Sequence, residues 1–206
     1  MHPQCTLYFE AVAYFREAAS LIRADQWDMP ALGVWSVRDL VGHTSGALRT
    51  VQLNFTDPLS GPGDFESAAD YFAAAVSLPG VMAAVAERGR EAGLALGAEP
   101  LRAIDELTEV VRALLTDLPA DTWVPTRFGR LLLPAYMDTK LFELMVHTLD
   151  ICAATGIVLE PPAEPLAAAL RVTLELAARR PEVAESAVLL RALTGRAPLP
   201  AGFSVI

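Results

Sequence analysis

Lysine occurs once in this sequence, at Lys140, and histidine three times, at His2, His43 and His147. With a net charge of −9 and no basic cluster, nucleic acid is excluded as a partner, because phosphate neutralisation dominates that kind of binding. No apolar run reaches the length of a membrane span. The N-terminal MHPQCTLYFEA lacks the basic-then-apolar layout of a secretion signal, so the chain is predicted to be cytoplasmic with no membrane partner. The two cysteines, Cys5 and Cys152, are far apart and form no C-x-x-C pair, so both are expected to be reduced and buried. The H-E-x-x-H protease motif, the phosphate-binding P-loop and the G-x-S-x-G elbow are all missing. So are the paired E-x-x-H motifs of a di-metal carboxylate bundle. Aromatic residues make up only 7%, and their scarcity beside abundant alanine favours helices over sheets.

What is present reads as a succession of helices. Leu7, Val12, Phe15 and Ile22 give a first apolar stripe, over about residues 6–24. The second helix has the clearest start: Ser36 as N-cap, Asp39 three residues on, and Trp35 and Leu40 placed for a hydrophobic staple. It is expected to pass through His43 and stop near Asp57-Pro58. Gly42 and Gly46 lie inside it, each costing about 1 kcal/mol against alanine, which close approach of a neighbour or ligand would explain. A loop at Gly61-Pro62-Gly63 leads to a short helix over 65–76. Another helix opens at Pro79 and stops near Gly97, and a long bundle helix spans 100–118. Residues 119–134 read as a short hairpin or an extended loop. A helix then spans 135–155 and ends at Gly156, and two shorter ones follow Pro161-Pro162, over 164–178 and 181–193.

One constellation could hold an ion. In FELMVHTLD, Glu143 precedes His147 by four residues, so both side chains leave one face of a helix about 5–6 Å apart at Cβ. His43 would join them across the bundle. Two imidazoles and a carboxylate suit one divalent ion, zinc before magnesium or calcium, with coordination positions left open for a ligand. Each residue also has an ordinary alternative. An E-x-x-x-H pair can be a surface or capping interaction, and His43 a hydrogen-bonded core residue. Asp39 can be a cap rather than a ligand. Asp150 can orient His147 or simply be solvated. Arg130 and Arg196, in loop-like segments, can contact an anionic substrate or thiol, or be surface arginines. Trp35 and Tyr136 read as packing residues.

The segments WSVRDLVGHTSGA, FELMVHTLDICAATG and LLRALTGRAPLPAGFSV together resemble the mycothiol-dependent maleylpyruvate isomerase family. The resemblance runs from about Trp27 to the C-terminus and is faint over 57–98. It implies an all-α fold, a DinB-like four-helix bundle over 1–157 with additional short helices. A small C-terminal helical extension, 158–206, would pack on the bundle. It also implies one catalytic zinc held by His43, Glu143 and His147, and a low-molecular-weight thiol such as mycothiol as cosubstrate. The expected function is thiol S-transfer, or thiol-assisted isomerisation, on a small electrophilic molecule. The alternatives are a non-catalytic metal- or ligand-binding protein, a homodimer among the forms it could take, and a hydrolase whose metal activates water.

Overall fold

In the computed structural model the described residues are 1–57, 64–76, 80–179 and 183–205. The expected loop at Gly61-Pro62-Gly63 and the expected helix starts at Pro79 and Pro181 lie outside them. The elements are α1 (Pro3–Ser20), α2 (Val37–Thr56), β1 (Asp64–Phe65), α3 (Ala68–Val76), α4 (Val81–Ala95) and α5 (Pro100–Leu115). They continue with β2 (Trp123–Pro125), β3 (Arg130–Leu132), α6 (Leu133–Thr155), α7 (Ala163–Ala178) and α8 (Val183–Leu193). The fold is all-α and DinB-like, with one small sheet. No helix among the described residues is long and apolar enough to cross a membrane.

Four helices close the bundle: α1 lies against α6 and α5, and α2 lies against the same two from the other side. Their facing stripes meet in a core where Tyr8, Phe15, Leu40, Leu48, Ile104, Leu115, Met137, Leu141 and Leu144 are fully buried. Burying each large apolar side chain contributes about 1.5–3 kcal/mol, so this shared stripe holds the four helices in register. α4 packs along α2, and α7 packs on α6, α3 and α1.

The ends of the elements follow local chemistry. At α2, Ser36 Oγ accepts from the Asp39 N–H while Asp39 Oδ2 accepts from the Ser36 N–H, a complete capping box. The same S-x-x-D pattern recurs at Ser67 and Asp70, unread in the sequence, and starts α3 three residues later than expected. His2 Nδ1 accepts from the Gln4 N–H and caps α1, which therefore starts at Pro3. Gly156, at φ 70°, closes α6 as expected.

Of the hairpin and the extended loop left open for this stretch, residues 123–132 form the hairpin, with Val124 and Leu131 turned into the core. Unanticipated is β1, which pairs parallel to β3 and sets Asp64 opposite Arg130. Its two residues are too few to show any periodicity in the sequence.

The two glycines of α2 differ. A Cβ at Gly42 would collide with the α4 backbone at Gly93, whereas nothing lies within 4 Å of one at Gly46. Backbone contact between α2 and α4 therefore depends on Gly42. Gly42→Ala is expected to destabilise by about 1–3 kcal/mol. Gly46→Ala should be neutral or stabilising by up to about 1 kcal/mol. Urea unfolding of the two variants checks the contrast.

Candidate metal centre

The site lies where α2 faces α6. Helical spacing puts Glu143 and His147 on one face of α6, and α2 delivers His43 from across the interface. Glu143 Oε2 is 3.6 Å from His43 Nε2 and 3.5 Å from His147 Nε2. All three donor atoms lie within 4.8 Å of one another. These separations are longer than a good hydrogen bond, about 2.7–3.2 Å. The two Glu143 separations are close to the spacing of donors around a tetrahedral zinc, about 3.3–3.4 Å for bonds of about 2.0–2.1 Å. Among the described residues no fourth histidine, cysteine or carboxylate joins the group. The Glu143 side chain is 31% exposed and those of the two histidines 19% and 17%, so the donors face an opening rather than a sealed core.

Each imidazole is braced from behind. Asp150 Oδ2 lies 3.0 Å from His147 Nδ1, so a neutral ring donating there keeps Nε2 free as an acceptor for an ion. His43 stacks on the Trp35 indole, ring centroids 4.4 Å apart and 31° from parallel. Trp35 is itself pinned by α4: its Nε1 donates to the Ala86 carbonyl, and a Cβ at Gly89 would meet its ring at 2.6 Å. Trp35 thus does more than pack. Aromatic composition alone could not show this, because its partner Gly89 lies 54 residues away. Asp39 stays in the capping box.

Without an ion, protons occupy the same electrostatic role. Burial pushes the Glu143 carboxyl up, but loose hydrogen bonding and charge from the His147 and His43 rings outweigh it and hold it well below the usual carboxylate range. Burial opposes a charged His147 too, yet Asp150 and Glu143 together raise it to about 9.

The remaining residues singled out in the sequence lie elsewhere. Arg130 makes a two-pronged pair with Asp64, at 2.8 and 2.9 Å, and lies over the Trp123 ring. Arg196, after α8, is exposed and donates to the Thr194 carbonyl. A surface cleft of about 410 Å³, lined by Ile22, Trp27, Pro100 and Leu101 among others, includes none of the three donors. Cys5 and Cys152 are free thiols and buried, as expected.

A DinB-like helical bundle with an open His-Glu-His donor set is the class that this fold and site define. The chain belongs to the family described as the mycothiol maleylpyruvate isomerase N-terminal domain, which it matches over residues 8–152, a span that holds all three donors. Neither a curated protein nor a solved structure matches the chain significantly.

Two outcomes test the geometry. Asp150→Ala is expected to weaken zinc binding about 10–100-fold by freeing the His147 ring. An ion must also displace the His147 proton, so zinc affinity should rise with pH and level off above about 9. Competition with a chromophoric chelator across pH measures both, and a flat profile would contradict the assignment of His147 as a donor.

Proposed function

We propose that this chain is a zinc-dependent enzyme that uses a low-molecular-weight thiol, such as mycothiol, on a small electrophilic substrate. The observation that supports this most directly is the convergence of His43 Nε2 and His147 Nε2 on Glu143 Oε2, at 3.6 and 3.5 Å, with no fourth protein donor among the described residues. Structural zinc sites are closed by four protein ligands, whereas three leave room for an exogenous one. Family membership supports the thiol as that ligand.

A divalent ion held by this set supplies Lewis acidity, which makes a coordinating thiol a nucleophile at neutral pH. The chain's residues prepare the place for it. His43 and His147 contribute neutral nitrogens and Glu143 a single negative charge, so the donors offset only half of a +2 charge and favour an anionic sulfur in the open direction. Asp150 fixes the His147 tautomer, and Trp35 shields one face of His43 from water. Addition of the thiol sulfur to an electrophilic carbon gives S-transfer when the adduct is kept. It gives cis–trans isomerisation when the adduct reverses after bond rotation.

Protein purified without added metal should contain about one zinc per chain, and Glu143→Ala close to none, since two imidazoles alone make a poor zinc site. Mycothiol should then raise the unfolding temperature of the zinc-loaded protein by several degrees and leave Glu143→Ala unchanged. Elemental analysis and a thermal-shift titration provide the readouts. Full zinc occupancy with no response to mycothiol would rule out the thiol.

A further inference from the structure

The only lysine in the chain is buried beside this site. Lys140 stands one helical turn before Glu143 and two before His147, on the same face of α6. It is 8% exposed, and its Nζ lies 5.2 Å from the Tyr136 ring centroid. Among the described residues it makes no hydrogen bond and no ion pair. Its Nζ keeps a trace of solvent access, since among the described residues no fully buried side-chain nitrogen lacks a partner, and an ammonium so little hydrated is costly unless an opposite charge compensates it. Burial pulls its pKa below the usual lysine value, and the negative charge of the Glu143 carboxylate is the compensation that partly offsets this.

That compensation is shared. Glu143 also faces both imidazoles, and its charge is claimed in full once it serves as a donor to an ion. Lys140 is then a buried cation without a counter-charge, in the same neighbourhood as the opening of the donor set. Tyr71 belongs there too: it couples electrostatically to Glu143 and to the exposed guanidinium groups of Arg127 and Arg88. Arg88 feels the repulsion of Arg127, and Arg127 lies 5.5 Å from the centroid of the Phe128 ring, itself packed against Tyr71. Neither arginine makes an ion pair among the described residues. Positive charge at the rim and a single ammonium inside form a path that attracts an anion inward.

We propose that Lys140 is the anchor for an anionic group of the ligand that enters beside the His43–Glu143–His147 set, a carboxylate in preference to a phosphate. One ammonium balances one negative charge. A phosphate dianion would need a second charged donor at the same depth, and none of the described residues supplies one. This rests on the zinc reading above, because it is the engagement of Glu143 that leaves Lys140 uncompensated. Lys140 is a specificity-determining residue in this role, selecting molecules that present a carboxylate at a fixed distance from the reacting end.

Because the chain has a single lysine, amine chemistry reads the site directly. Zinc-loaded protein is treated with formaldehyde and cyanoborohydride, and dimethylation of Lys140 is followed by mass spectrometry, with the Met1 amine as internal reference. Saturating acetate is expected to slow Lys140 methylation about tenfold relative to chloride at equal ionic strength, the size of one charge-assisted hydrogen bond. Acetamide, the neutral isostere, should have no effect, phosphate little, and the Met1 amine should react alike in all. In Lys140→Met, zinc content should stay at the wild-type level while the acetate-dependent rise in unfolding temperature disappears. Equal methylation in acetate, acetamide and chloride overturns the assignment whatever the zinc content. Protection by acetate in protein that holds no zinc overturns only the metal reading.

Discussion

The site depends on one carboxylate shared by two rings. Glu143 sits between His43 and His147, close enough to attract both and too far to satisfy either with a short hydrogen bond. Three polar groups held in that relation at a helix interface make poor hydrogen-bond partners for one another. The arrangement is economical for holding an ion, which takes up all three donors at once.

The surroundings keep those donors in place. On one side, Asp150 holds His147 from a position one turn further along the same helix, where spacing alone secures the contact. On the other, the support for His43 is tertiary and runs through several layers. α4 approaches α2 at the Gly42–Gly93 crossing, and Gly89 and Ala86 on α4 fix the indole of Trp35. Trp35 in turn backs the imidazole. Backbone contact between two helices thus becomes a constraint on the orientation of a ring, the kind of pre-organisation a functional site needs.

Charge gives the site its polarity. The protein is acidic as a whole, yet the face of α6 that holds Glu143 and His147 also bears the sole lysine, and the exposed guanidinium groups near Tyr71 face the same region. Positive charge in the interior of a −9 chain is expensive. Its placement next to the one set of donors among the described residues that could hold a cation makes sense if the occupant brings negative charge of its own.

How much was legible in the sequence follows from the range of each interaction. Helix content, the capping box at Ser36 and Asp39, the stop at Gly156 and the Glu143–His147 pair were all readable, because each is set by residues within four positions of one another. The family, too, could be recognised, from the segments around His43 and His147 that lie within the matched span. Tertiary structure alone decided the rest. The 3.6 Å approach of His43 to Glu143 joins residues 100 positions apart. The setting of Trp35 depends on Gly89, the 3.0 Å contact of Asp150 on where the His147 ring turned, and the strand at Asp64 on a partner at Arg130. The burial of Lys140 belongs here as well: its position on the α6 face was fixed by the sequence, but its 8% exposure was settled only when the bundle closed around it.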